Sequence, residues 1–331
     1  MISIIIPAFN QLEYCRQCIT SVHLNTEAPY KLILVDNGST DGVGEYFDCV
    51  PGATVVHAGE NKGFAGGVNL GLQHAEGHVV LLNSDTLTPR GWLPRLERAL
   101  LREEDIGMVG PMSNQVSGAQ HIDGLWFESL EEINAYADRL AGERAGTLIE
   151  VPRLVGFCLM IRDEVILKVG CFDERFGLGN FEDDDYCRRT VLAGYRLCVA
   201  ADSFVFHYGS RTFHGMGLVD DAWRGLVGRN QDLYREKWQD DAVLLAAPQQ
   251  RAALLTKKAR DAVQANDLHR AIALYKQAIE SAPNDPIPYN DLGKLLLRLG
   301  DPERARKYFE RALSIDPTIA DAGQNLENQG K

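Results

Sequence analysis

Residues 78–85 read HVVLLNSD: a short, largely apolar run from His78 to Leu82, then Asn83, Ser84 and Asp85. Such a run bounded by polar turn residues reads as a buried strand. In open α/β sheets, ligands gather outside the carboxyl ends of the strands, so Asp85 stands where a ligand is expected. Much further along, Glu182, Asp183, Asp184 and Asp185 open FEDDDYCRRTVLAG, a segment with helical character. One acidic cluster suits a divalent cation facing a diphosphate. The other suits a general base. Together they point to metal-assisted group transfer from a nucleotide-activated donor.

Working outward, the chain before residue 110 alternates in type. Ile2–Ile6, Lys31–Val35, Ala53–His57 and Val79–Leu82 read as strands. Gln11–Leu24, Asp41–Phe47, Phe64–His74 and Pro89–Arg102 read as helices. This alternation predicts a parallel sheet covered by helices. Each strand runs into polar or glycine-rich turn material (PAFN, DNGSTDG, GENKG, NSDT), and those turns are expected to share one edge of the sheet. Residues 112–150 read as a loop-rich insert beside that crevice, with one amphipathic helix, Leu130–Leu140. Beyond it we expect a strand over 153–161, a helix over 162–169, strands at Arg196–Val199 and Phe204–His207, and a helix over 220–238.

At 331 residues the chain is long for one domain. Its formal charge of −12 is uneven: residues 246–331 carry +2 and residues 1–245 carry −14. An acidic domain repels a nucleic-acid backbone, so no nucleic-acid partner is expected. It still suits a phosphate-bearing small molecule if a metal carries the positive charge. No eighteen-residue apolar run exists, so no membrane span is expected. MISIIIPAFN lacks a basic leader and reads as a first strand instead of a signal peptide. Seven cysteines without a secreted-domain pattern suggest reduced thiols and a cytoplasmic protein. Cys15 and Cys18 form a CxxC with no second pair, and read as ordinary helix positions.

After Ala246 an internal repeat of 34 residues appears. Ala271, Tyr275, Ala278 and Pro283 recur as Ala305, Phe309, Ala312 and Pro317; Asp267 recurs as Asp301, and Ala259 as Gly293. The small residues let paired helices approach closely, and proline ends each second helix. Period and residue types match tetratricopeptide repeats. Residues 246–331 are therefore expected to form a small all-α domain of two repeats plus a terminal helix near Ala320. Residues 1–245 are expected to form the α/β domain.

The segments SIIIPAFNQLEYCRQCITSV, LILVDNGSTDG, NKGFAGGVNLGLQHAEGHVVLLNSDT and GNFEDDDYCRRTVLAGYRL resemble family 2 glycosyltransferases over roughly residues 1–240. The resemblance implies a GT-A fold, a Rossmann-like and mostly parallel sheet with helices on both faces. It also implies metal-dependent, inverting transfer of a sugar from a UDP- or dTDP-linked donor to a hydroxyl of a glycan or protein acceptor. The repeats would hold such an acceptor. The competing reading is a non-catalytic tetratricopeptide adaptor whose nucleotide-sugar domain has decayed.

The resemblance also implies roles for individual residues. Asp85 would hold Mn2+ or Mg2+, with His207 completing the shell. The family's usual motif is Asp-x-Asp; here its first position is Asn83, expected at the ribose or a coordinated water, with Ser84 between. Asp183 would be the general base and Glu182 would contact the acceptor. Asp184 would stand beside it at the acceptor or donor sugar, though it reads equally as a helix N-terminal acid, and Asp185 is the nearest rival as base. Asp36 would accept from the nucleoside, flanked by Pro7, Ala8, Phe9 and Asn10. Asn61, Gly63 and Asn69 resemble positions near the nucleoside, and Lys62 belongs to the same loop. Gly156 would leave room for the donor sugar, and Arg188 would pair with the acidic cluster or reach the diphosphate. Trp126, Phe181, Tyr208 and Trp223 are candidates to stack on sugar faces or to sit in the core.

Overall fold

The computed structural model describes residues 1–209, 220–238, 248–317 and 319. These divide into two compact units, Met1–Tyr234 and Arg235–Lys331.

The first unit opens with β1 (Ile2–Ala8), α1 (Leu12–Asn25), β2 (Tyr30–Asp36), α2 (Val43–Asp48), β3 (Ala53–His57), α3 (Gly63–Leu72) and β4 (His78–Leu82). A two-residue strand β5 (Thr86–Leu87) comes next, then α4 (Trp92–Leu100), β6 (Ile106–Met112), α5 (Leu130–Glu143), β7 (Leu148–Glu150), β8 (Cys158–Ile161) and α6 (Asp163–Val169). It closes with α7 (Glu182–Leu192), β9 (Arg196–Phe204), β10 (Phe206–His207) and most of α8 (Asp220–Lys237), whose last residues from Arg235 on belong to the second unit. Eight strands form one sheet in the order β3-β2-β1-β4-β8-β6-β9-β7.

Strand alternation explains why helices cover both faces. Ile2, Ile4, Ile6 and Ala8 of β1, with Val80 and Leu82 of β4, enter one core together with Cys15, Cys18 and Ile19 of α1 and Trp92 and Leu96 of α4. Ile5, Val79 and Leu81 enter the opposite core, with Ala65 and Val68 of α3 and Tyr186 and Cys187 of α7. Cys15 and Cys18 are thus core residues, as their helical spacing implies. Burial raises both thiols above the ordinary value.

The sheet is mainly parallel, but β8 runs antiparallel to both β4 and β6, and β7 runs antiparallel to β9. The reversal of β8 decides which segments meet at the sheet edge. Leu82 at the end of β4 pairs with Cys158 at the start of β8. The segment entering β8 therefore lies at the same edge as the segment leaving β4. The strand expected over 153–161 is paired only from Cys158 on. Strand β6 escapes the sequence reading, because Gly107, Gly110 and Pro111 mask its apolar character.

In the second unit, helices α9 (Pro248–Gln264), α10 (Leu268–Ser281), α11 (Pro286–Arg298) and α12 (Pro302–Ile315) succeed one another. Asp267 and Asp301 cap α10 and α12 in the same way, each accepting from the amide three residues on. Ala259, Ala271, Ala305, Phe309 and Ala312 share one core. A Cβ on Gly293 would come within 2.7 Å of the Phe309 ring, so α11 and α12 pack at a distance only glycine permits there. The terminal helix expected near Ala320 lies outside the described residues.

Candidate active site

Two adjoining hollows occupy the carboxyl edge of the sheet. The smaller, about 80 Å3, is lined by Pro7, Ala8 and Phe9 after β1, Asn37 after β2, Asn61, Gly63 and Phe64 at the start of α3, Asn83 and Ser84 after β4, and Leu178. Hydrogen bonds lock its walls. The Asn37 backbone amide donates to the Ala8 carbonyl at 2.8 Å. Its side-chain amide donates to the Gly63 carbonyl at 2.9 Å and accepts from the Lys62 amide at 3.1 Å. The Asn61 side chain accepts from the Gly63 amide at 2.9 Å. From sequence, Asn37 reads only as a turn residue; its burial and its hydrogen bonds to Asn61, Lys62 and Gly63 make it the joint between β2 and the loop before α3.

The larger hollow, about 390 Å3, shares Phe64 and Asn83 with the first and is also lined by Asp85, Gln115, Gly156, Phe157, Asn180, Glu182, Asp183, His207 and Trp223. Asp85 and His207 reach it from a two-stranded ribbon in which His207 pairs with Thr86. His207 Nε2 lies 3.2 Å from Asp85 Oδ1, and His207 Nδ1 lies 2.9 Å from the Gln115 carbonyl. A carbonyl only accepts, so Nδ1 carries the hydrogen and Nε2 is turned toward Asp85. The ring also stacks on Phe157 at 5.2 Å. Burial opposes charge on this imidazole, but the Asp85 carboxylate and the Gln115 carbonyl outweigh it and hold it above its ordinary value. An imidazole nitrogen and a carboxylate oxygen converging on one point, with the other nitrogen fixed by a carbonyl, is a donor set that fits a divalent cation.

In the lining of the same hollow, the carboxylate of Asp183 accepts from the Gly156 amide at 2.8 Å and from the Asp184 amide at 2.9 Å. Burial first, and the Asp184 charge second, push its carboxyl up to about 6, against the pull of those two amides and of Arg153. A Cβ on Gly156 would sit 3.1 Å from Asp183 Cβ. The missing side chain at 156 therefore makes room for Asp183, and the antiparallel entry of β8 is what brings the two together. Glu182 is 6% exposed, and its Oε2 has no hydrogen-bond partner among the described residues. Burial, then Asp183, raises its carboxyl well above the usual range. The Asn180 amide nitrogen is likewise buried and without a partner among them. The Gly-Leu-Gly-Asn run before the acidic cluster is the one available signal for Asn180.

Most other residues singled out from the sequence make their contacts outside the two linings. Asp185 is fully buried and pairs with Arg189 at 2.9 Å, one helical turn away, so it does not reach the hollow. Asp184 is held by Arg153 at 2.8 Å. Asp36 accepts from the Ser39 amide at 2.8 Å and meets His57 at 3.2 Å, outside both linings. The Asn10 side chain accepts from the Thr40 amide at 2.8 Å, and Lys62 reaches Glu60 at 3.0 Å. Asn69 exchanges hydrogen bonds with the Phe172 backbone at 2.8 and 3.0 Å, stitching α3 to the segment after α6. Arg188 donates to the Tyr234 hydroxyl at 3.3 Å. Of the four aromatics, Trp223 lines the hollow, Phe181 packs near Tyr234, Tyr208 packs on Tyr14 and Phe206, and Trp126 is 83% exposed. Among the described residues, no helix is long and apolar enough to cross a membrane.

Comparison with known proteins bears on the family and the fold. The GlyA glycosyltransferase of Streptococcus pneumoniae is 23% identical over 286 residues, which cover 84% of this chain and 37% of GlyA. The AglE glycosyltransferase of Haloferax volcanii is 24% identical, over 62% of this chain and 66% of that protein. The N-acetylglucosaminyl-diphospho-decaprenol L-rhamnosyltransferase of Mycobacterium tuberculosis is 26% identical, over 57% of this chain and 70% of that protein. The chain thus spans less than two thirds of the length of GlyA and of AglE. The crystal structure of GalNAc-T7 with UDP, GalNAc and Mn2+ superposes with a TM-score of 0.50 at 16% identity, over 62% of this chain and 43% of that one. Residues 256–319 match the tetratricopeptide repeat model. Residues 3–170, half of the chain, match the glycosyl transferase family 2 model, and the chain belongs to that family.

Proposed function

We propose that this protein transfers a sugar, with inversion, from a UDP- or dTDP-linked donor to a hydroxyl of a glycan or protein acceptor. The observation that carries this reading is that Asp85, His207 and Asp183 line one hollow of about 390 Å3, a size suited to a single hexose. The nucleoside docks against the residues of the smaller hollow, Phe9, Asn61 and Ser84 among them, which takes only part of it, and the diphosphate would lie past Asn83 toward Asp85. Asp85 and His207 would hold Mn2+ or Mg2+, which would neutralise charge developing on the leaving diphosphate.

Asp183 works on the other side. Its carboxylate is oriented by two amides and takes the proton from the acceptor hydroxyl as that oxygen attacks the anomeric carbon. Attack opposite the leaving group forms the new C–O bond while the bond to the diphosphate breaks, so configuration inverts without a covalent intermediate. Glu182, buried with an unmet oxygen, supplies a hydrogen bond to the acceptor. Phe64, Phe157 and Trp223 keep water from the reacting atoms.

In the second unit, Arg260, Tyr275, Asp291, Lys294 and Arg298 frame a shallow hollow of about 250 Å3, a surface on which an acceptor protein could rest. A cytoplasmic setting belongs to the same reading, and all seven cysteines are free thiols. The alternative, an adaptor with a decayed transferase unit, predicts nucleotide binding without turnover. Screening UDP- and dTDP-sugars for Mn2+-dependent hydrolysis or transfer decides between them. Turnover by the parent that is lost in Asp183→Asn supports the enzyme; binding of UDP with no turnover of any donor supports the adaptor.

A further inference from the structure

The segment between the short 3-10 turn at Glu174–Phe176 and α7 has an unusual backbone. Gly177, Gly179, Asn180 and Phe181 have φ of 64°, 136°, 72° and 73°. Glycine accepts such angles freely, and asparagine tolerates them. For Phe181, with its Cβ, the left-handed region is sterically costly. This strap runs from Leu178, in the wall of the nucleoside hollow, to Asn180, Glu182 and Asp183, in the wall of the larger one. It also presses on the first turn of α3: a Cβ on Gly63 would lie 1.8 Å from the Gly177 carbonyl oxygen. A conformation of this cost persists only where its surroundings impose it.

The imposing group is on α8. Asn230 is fully buried. Its side-chain NH2 donates to the carbonyls of Phe176 and Gly179 at 2.7 Å each and of Asn180 at 3.1 Å. Its side-chain oxygen accepts from Arg229 at 2.7 and 3.0 Å, and the same guanidinium donates to the Phe176 carbonyl at 3.1 Å. The contacts define the residue type. Three converging carbonyls need a donor; an aspartate of the same shape would offer them only acceptors. Left alone, those buried carbonyls would each carry a desolvation cost.

We propose that Asn230 is a positioning residue for the transfer reaction: it fixes the strap in its left-handed course and so sets where Asp183 stands relative to the donor hollow. This rests on Asp183 being the base. The strap's dependence on Asn230 is testable without that assumption.

Asn230→Asp, Asn230→Ala and Asn230→Ser are compared with the parent chain by hydrogen exchange and mass spectrometry. In Asn230→Asp and Asn230→Ala, amides of residues 177–184 are expected to exchange at least ~10-fold faster, while those of β1 and β4 keep the parent's rates. Turnover of a donor that the parent uses is expected to fall by about 10- to 100-fold, with the UDP-induced rise in melting temperature reduced far less. Asn230→Ser, which keeps one donor, is expected to lie between the parent and Asn230→Ala in both readouts, and preserves the test should the aspartate variant not fold. Unchanged exchange in the strap overturns the proposal. So does equal acceleration in β1 and β4, which would make Asn230 an ordinary core residue. If Asp183→Asn retains full turnover while the exchange pattern appears as expected, the base assignment fails and the clamp stands.

Discussion

His207 Nε2 faces Asp85 Oδ1 at 3.2 Å although 122 residues separate them in the chain. The β5–β10 ribbon makes that approach possible, because His207 pairs directly with Thr86. The Gln115 carbonyl then fixes which nitrogen points inward.

This pair implies a dependence on metal. UDP with Mn2+ is expected to raise the melting temperature of the parent chain, and EDTA to cancel most of that rise. Asp85→Ala should abolish the Mn2+-dependent part and His207→Ala should weaken it. A rise that is the same with EDTA as with Mn2+ would remove the cation from the site.

Removing the base should separate chemistry from binding. Asp183→Asn keeps the shape and is expected to lower turnover by about 10²- to 10⁴-fold, with the UDP-induced melting shift nearly intact. Steady-state kinetics beside melting curves checks both. Asp185→Asn, at the buried pair with Arg189, should act on stability instead.

The acid limb of the rate should report Asp183. A base works in its ionised form, and this carboxyl is pushed up to about 6 by burial and by Asp184. Turnover is therefore expected to be flat above that pH and to fall about tenfold per unit below it. Arg153 pulls the Asp183 carboxyl down, so Arg153→Gln should move the midpoint upward. A midpoint that stays in place would disconnect Arg153 from the base.

Crowding at Gly156 gives a graded test. In Gly156→Ala the new methyl meets Asp183 Cβ at 3.1 Å, a contact relieved by a shift of a few tenths of an ångström. The fold should hold while turnover drops several-fold, and Gly156→Val should lose more. Circular dichroism together with turnover reads the two effects separately.

Packing of the repeat unit has its own sensitive point. Gly293→Val places a branched side chain against the Phe309 ring, where even a Cβ comes within 2.7 Å. A loss of about 1–3 kcal/mol is expected, measured by urea denaturation of the whole chain followed by far-ultraviolet circular dichroism.

The sequence by itself determined the layers, the order of most strands along the chain and the repeats, since these rest on local periodicity. Ile2, Ile4 and Ile6 alternate with Ile5, so one strand feeds two cores. The 34-residue spacing of Asp267 and Asp301 appears directly as two helix caps. The residues ending β1 and β4 were legible as crevice material for the same reason: a strand end is a local event. Tertiary structure alone decided the rest. The antiparallel entry of β8 brings Gly156 to Asp183, and nothing in the alternation of elements encodes a reversal of strand direction. Strand β6 is hidden because Gly107 and Gly110 have no side chains to signal a strand; they are small because Tyr195 and Gln120 occupy that space. Asp36 and Asn69 look alike in sequence as polar residues near the crevice, yet His57 and the Phe172 backbone claim them. Which two of four consecutive acids face the hollow, and which are taken by Arg153 and Arg189, depends on partners distant in the chain or a helical turn away. Side-chain partnership is a property of the folded interior, where every buried polar atom competes for a neighbour.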